Sequence, residues 1–171
     1  MQVPQYQVML LNKQHGRLAF ECGNEALDRY LKQQATQDIR NQVAATYVLT
    51  PFNTHNIIGY YTLSSFSIVI DGLAELLVKK PPRYPVLPAT LLGRLAVDKN
   101  FQGKKLGGVL LINALKRCLA LSEQVASMAV VVEAKHKEAE AFYSHYGFTS
   151  FLDEPSKLYL PMGTIKQLKS S

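Results

Sequence analysis

At 171 residues, with 47% hydrophobic and 19% charged side chains, the chain predicts one globular domain with a sizeable core. No apolar run approaches the ~20 residues needed to span a bilayer. The N-terminal MQVPQYQVMLLNKQ lacks the basic start, long apolar core and small-residue cleavage site of a signal peptide, so none is expected. A net charge of +6 attracts anionic cofactors and nucleic acids without choosing among them.

Tyr6 to Leu11 alternates loosely and reads as a first strand. Phe20-Glu21-Cys22-Gly23-Asn24 is then a turn, with Asn24 placed to cap a helix running to about Ala35, whose apolar face is Leu27, Tyr30 and Leu31. The polar segment Gln37–Gln42 reads as helix end or exposed loop. Ala45–Thr50 and Ile57–Ile70 are β-rich and form a hairpin across Pro51–Asn56. Leu73–Val78 is expected as a short helix or turn. The three prolines of Lys79-Lys80-Pro81-Pro82-Arg83-Tyr84-Pro85 then exclude regular helix and leave an exposed basic loop.

The central stretch is Leu91 to Leu119, LLGRLAVDKNFQGKKLGGVLLINALKRCL. It reads as a buried strand, a basic glycine-containing loop, and an amphipathic helix that buries Leu106, Leu110, Leu111, Ala114, Leu115 and Cys118. Free amides at the start of that helix, with its dipole behind them, favour an anion such as a pyrophosphate. The spacing fits neither the Walker pattern nor the dinucleotide fingerprint. Beyond it, Met128–Glu133 is another buried strand, and Lys137–Tyr146 a short helix ended by Gly147. Phe148–Phe151 and Lys157–Leu160 are late strands, and the tail Lys169-Ser170-Ser171 is expected to fray. The element order gives an α/β domain with a mixed sheet and helices on both faces.

Few residues offer other chemistry. Cys22 and Cys118 have no metal or redox spacing and read as free thiols of a reducing, cytoplasmic compartment. His15, His55, His136 and His145 are scattered, so no metal site is expected. No Gly-x-Ser-x-Gly or Cys–His arrangement supports acyl-enzyme catalysis. Tyr143 shares a helix face with Phe142 and Tyr146, which by spacing alone reads as core packing.

Leu95-Ala96-Val97-Asp98 followed by Gln102 and Gly107 resembles the acetyl-CoA-binding motif of the GNAT N-acetyltransferases, Gln/Arg-x-x-Gly-x-Gly/Ala after a strand ending Ala-Val-Asp. One departure stands out: the family usually has glycine where this chain has Lys105. The segments Phe20–Asn24, Leu27–Leu31, Ile58–Leu63, Pro82–Pro85, Arg94–Asp98 and Ala141–Phe148 resemble one GNAT branch, the toxins of type II toxin–antitoxin pairs, and the likeness runs from about Tyr6 to Leu168. It implies a single GNAT domain over 1–171, with a mostly antiparallel mixed sheet whose central strands splay apart.

The resemblance also implies acetyl-CoA as donor, with no metal. Its binding residues are Leu95, Ala96, Val97, Gln102, Gly103, Lys104, Lys105, Leu106, Gly107, Gly108 and Phe142. Tyr143 matches the family's general acid toward the leaving thiolate. The implied substrate is aminoacyl-tRNA, acetylated on its α-amino group so that translation stops, with Lys79, Lys80, Arg83 and Arg94 as candidate tRNA contacts. The implied partner is a ribbon–helix–helix antitoxin, through which alone DNA is reached. Dimers are common in this branch, and no membrane partner is implied. Two rivals stand beside this reading: a GNAT enzyme acting on a small amine or a protein, and a GNAT-like binding protein without catalysis.

Overall fold

The computed structural model describes residues 5–69 and 86–170. The expected short helix at Leu73–Val78 and the basic loop from Lys79 to Pro85 lie outside the described residues. The strands are β1 (Tyr6–Leu10), β2 (Ala45–Pro51), β3 (Gly59–Val69), β4 (Val86–Val97), β5 (Ala129–Glu133), β6 (Thr149–Ser150) and β7 (Lys157–Pro161), in the sheet order β1-β2-β3-β4-β5-β7-β6. β1–β2, β2–β3, β5–β7 and β6–β7 pair antiparallel, whereas β4–β5 pair parallel. The mixed, mostly antiparallel sheet is therefore present. The β4–β5 ladder consists of Thr90↔Val130 and Leu91↔Val131, while β4 itself runs on to Val97.

The chain divides into two compact units, Met1–Ser64 with Gly93–Ala114, and Ser65–Leu92 with Leu115–Ser171. In the first, a core of Leu11, Phe20, Tyr30, Leu31, Val48 and Tyr60 packs with Ala96 of β4. Asn24 caps α1 (Glu25–Arg29) as expected, its Oδ1 accepting from the Ala26 and Leu27 amides. The helix then widens into a π turn (Tyr30–Gln34), closed by the Ala35 N–H donating to the Tyr30 carbonyl, and continues as α2 (Ala35–Arg40).

That continuation corrects the expected helix end near Ala35. Asp38 fastens the polar segment, accepting hydrogen bonds from the Tyr30 hydroxyl at 2.7 Å and the Gln34 amide at 2.9 Å. Ile39 packs on the core, and the helix stops where Gln42 turns left-handed.

In the second unit, Ile68, Ala89, Ala129, Val131, Phe151 and Tyr159 form a core. Helix α4 (Lys137–His145) starts with the His136 ring accepting the Ala139 amide. It ends at Gly147, which takes the left-handed conformation expected of a C-terminal cap. A further helix, α5 (Met162–Ser170), was not expected, and it takes in Lys169 and Ser170 of the tail expected to fray. Gly163 and Thr164 are poor helix formers, and what places the segment is tertiary: Met162 and Ile165 are buried, and the Met162 amide donates to the Met128 carbonyl at 2.7 Å.

Candidate active site

The cofactor candidates of the first unit follow one another along the chain. β4 presents Leu95 and Val97 half-buried, with Ala96 buried between them. A 3₁₀ turn, Lys99–Phe101, leads to the exposed loop Gln102–Lys105 and then to α3 (Leu106–Ser122). The helix buries Leu106, Leu110, Leu111, Ala114, Leu115 and Cys118, the face expected from its spacing. The first intrahelical bond runs from the Val109 N–H to the Lys105 carbonyl. The amides of Leu106, Gly107 and Gly108 therefore precede the hydrogen-bonded ladder and are left to bind something else. With the macrodipole of a 17-residue helix behind them, these amides fit a pyrophosphate.

The loop owes its shape to two left-handed residues, Gly103 with φ 81° and Lys105 with φ 62°. Lys105 thus occupies, with a side chain, a conformation that costs a non-glycine residue about 1–2 kcal/mol. This explains physically why glycine suits the position. Lys105→Gly is expected to stabilise the protein by about 1 kcal/mol, raising Tm by roughly 2–4 °C. It should also leave acetyl-CoA binding in place, because the backbone amides are kept. Thermal denaturation with and without acetyl-CoA checks both outcomes; a lower Tm would show that the lysine side chain makes a compensating contact.

The other loop side chains have occupations of their own. The Lys104 ammonium lies 5.2 Å from the centre of the Phe101 ring. The Gln102 side-chain amide donates to the Cys22 carbonyl at 2.8 Å and to the Val97 carbonyl at 2.9 Å, so it fastens the loop and leaves anion binding to main chain. Arg94 forms no ion pair among the described residues. Its guanidinium lies 3.5 Å from the centre of the Tyr30 ring, stacked rather than salt-bridged. That ring belongs to the π turn, and its hydroxyl is held by Asp38. The arginine keeps its in-plane donors for a further partner. Lys79, Lys80 and Arg83 lie outside the described residues.

Tyr143, in the second unit, is 7% exposed on α4. Its ring lies 5.2 Å from that of Phe142 and 5.4 Å from that of Phe148, and Phe142 in turn contacts Tyr146. So Tyr143 is packed, as its spacing suggested, yet its hydroxyl has no hydrogen-bond partner among the described residues. Burial pushes the phenol up to about 12, which keeps it protonated throughout the physiological range. A protonated hydroxyl without a partner, on a ring held by packing, is competent to donate to a nascent anion.

The cysteines are free thiols, Cys118 buried and pushed up to about 12 by desolvation. Among the described residues, no group of three His, Cys, Asp or Glu side chains could hold a metal, and no helix is long and apolar enough to cross a membrane. The residue to which sequence reasoning gave no role of its own is Asp98. It is 6% exposed and accepts from two backbone amides, Asn100 at 2.9 Å and Glu21 at 3.1 Å. Its place at the end of a strand, directly before a loop, was the available signal.

Residues 53–150 match the family profile described as an acetyltransferase (GNAT) domain. The chain is 33% identical over 152 residues to a tRNA-acetylating toxin of Mycobacterium tuberculosis, covering 88% of each chain. Among solved structures it resembles a Tyr-to-Phe variant of KacT with a TM-score of 0.90 and 31% identity, covering 96% of this chain and 99% of that one. It also resembles AtaT in complex with acetyl-methionyl-tRNAfMet, with a TM-score of 0.89 and 28% identity, covering 96% and 99%. A second AtaT structure, with TM-score 0.83, 25% identity and coverage of 98% and 100%, is bound to the C-terminus of the antitoxin AtaR.

Proposed function

The chain belongs to the GNAT acetyltransferase family, and on that premise we propose that it acetylates the α-amino group of aminoacyl-tRNA and thereby blocks translation. One observation carries the substrate class: a likeness over 96% of the chain to a toxin that was solved with an acetylated aminoacyl-tRNA. In this reading the whole chain is one acetyltransferase domain working in the cytoplasm. Its partner is an antitoxin of the ribbon–helix–helix type, it reaches DNA only through that partner, and a homodimer is consistent with the branch.

Acetyl-CoA supplies the acetyl thioester. The amides at the start of α3, on Leu106, Gly107 and Gly108, hold the pyrophosphate, with Gly103 and Lys105 shaping the loop. The backbone of Leu95–Val97 offers strand-type hydrogen bonds to the pantetheine arm, because the β4–β5 ladder uses Thr90 and Leu91. An amide near Ala96 or Val97 steadies the oxyanion, and Phe142 adds an apolar contact to the cofactor. Tyr143 holds a proton on Oη for the leaving sulfur, and burial keeps that proton in place. Arg94 and the basic run Lys79, Lys80 and Arg83 supply tRNA contacts of the phosphate-seeking kind.

The test is transfer of labelled acetyl from acetyl-CoA to bulk charged tRNA, with uncharged tRNA as control. Label on charged tRNA alone is expected. Label on neither, with acetyl-CoA binding intact, would redirect the activity to a protein or a small amine. Absence of acetyl-CoA binding would leave a GNAT-like binding protein.

A further inference from the structure

We propose that Asp98 and Gln102 are positioning residues. They form a two-point clasp that locks the start of the cofactor loop to the segment Glu21–Cys22, and so presets the loop amides for the pyrophosphate. The inference rests on the reading of that loop as the pyrophosphate cradle. The observations that support it all lie within the first unit.

Asp98 is a buried carboxylate whose two oxygens are both used inward. Oδ1 caps the 3₁₀ turn through the Asn100 amide, and Oδ2 reaches across to the Glu21 amide at 3.1 Å. Gln102 closes the other end of the turn, its Nε2 donating both to the Cys22 carbonyl and to the Val97 carbonyl. Between these two points the backbone is stitched as well. The Lys99 amide donates to the Glu21 carbonyl at 2.8 Å, and the Asp98 amide to the Ile58 carbonyl at 2.9 Å. Lys99 and Glu21 also pair at 3.0 Å, but both side chains are more than half exposed, so that ion pair adds little.

Electrostatics make the carboxylate informative. An acidic side chain immediately before an anion-binding loop opposes the ligand it precedes. Asp98 makes sense there only if its geometric work outweighs that repulsion, and two backbone N–H donors to one carboxylate are the strong, charge-assisted kind of hydrogen bond. The consequence reaches beyond the loop. Glu21 and Cys22 lead directly into the Asn24 cap of α1, and the Cys22 amide is itself held by the Asp28 carboxylate at 2.9 Å. The clasp therefore fixes loop and helix start as one piece.

Two donors separate a positioning role from simple damage. Acetyl-CoA carries the pyrophosphate, whereas acetyl-pantetheine, a minimal thioester, lacks it. For Asp98→Asn and for Gln102→Met, KM for acetyl-CoA is expected to rise about tenfold or more with kcat nearly unchanged, as for a misplaced binding group. The kcat/KM for acetyl-pantetheine should stay at the wild-type value. Gln102→Arg, which keeps N–H donors at that position, should recover most of the loss. Equal losses with both donors, an unchanged KM for acetyl-CoA, or no difference between Gln102→Met and Gln102→Arg would overturn the clasp. Gln102 is exposed, so its variants stay informative even if Asp98→Asn fails to fold. A wild-type enzyme that uses both donors with the same KM would instead overturn the pyrophosphate cradle itself, and the clasp with it.

Discussion

Tyr143→Phe is expected to lower turnover about a hundredfold or more while leaving the dissociation constant for acetyl-CoA nearly unchanged. The substitution removes one oxygen from a ring held by Phe142 and Phe148, and that oxygen makes no hydrogen bond within the described residues. Packing is therefore preserved, and Tm should barely move. What is lost is the only proton that this position can supply. Because burial holds the phenol near 12, the acid form persists through neutral and mildly alkaline pH. Turnover of the wild type should accordingly show no decline from loss of the acid between about pH 6 and pH 10. Any rise over that window belongs to deprotonation of the incoming ammonium. Rates measured across pH for both proteins, beside calorimetric binding of acetyl-CoA, check the assignment. Wild-type turnover in the variant would move the proton donor elsewhere, and a matching loss of affinity would make Tyr143 a binding residue instead.

The parts of this molecule that could be read in advance are those where local chemistry and periodicity agree. Asn24 caps α1 because an asparagine side chain can reach the amides two and three residues on, a purely local fact. The buried face of α3 was legible because Leu106, Leu110, Leu111, Ala114, Leu115 and Cys118 recur at helical spacing, and Gly147 because a helix stop favours a residue free to turn left-handed.

What escaped depends on partners or backbone signs that a one-dimensional pattern does not carry. The helix runs past Ala35 because a π turn lets Tyr30 reach Asp38, and α5 forms because Met162 and Ile165 are taken into the interior. At Lys105 the sequence marked a missing glycine but not its consequence, which is a left-handed lysine. Gln102 is the sharpest case. Its match to a cofactor motif suggested contact with the ligand, whereas its side-chain amide is spent on two main-chain carbonyls far apart in sequence.

Gly59→Val is expected to destabilise the protein by about 1–3 kcal/mol and to weaken acetyl-CoA binding at the same time. Gly59 opens β3 beside Ala96 of β4, Leu110 of α3 and Leu49 of β2. A Cβ built there would sit 2.9 Å from Leu110 Cδ1, 3.1 Å from the Ala96 carbonyl oxygen and 3.6 Å from Leu49 Cδ2. Each neighbour has a different freedom to yield. Leu110 Cδ1 is the end of a side chain, but that side chain is completely buried, and interiors packed this densely resist a rotamer change. The Ala96 oxygen is backbone, on the strand proposed to receive the pantetheine arm, so it yields only by shifting that strand. Gly59→Ala carries only the methyl that meets both, without valine's extra bulk.

In a Leu110→Ala background, itself about 2–5 kcal/mol less stable because that side chain is completely buried, Gly59→Ala should cost little further stability, and the double-mutant cycle should report a coupling of about 0.5–3 kcal/mol. Gly59→Ala should still weaken acetyl-CoA binding there, because the Ala96 carbonyl is still displaced. Thermal denaturation and calorimetry on the four proteins of the cycle read these two quantities separately. A Gly59→Ala that costs neither stability nor affinity in that background would place the whole effect in the Leu110 side chain. A cost to affinity without a cost to stability ties the glycine to the cofactor strand, and makes the close approach of Gly59 to the Ala96 carbonyl a condition for binding the donor.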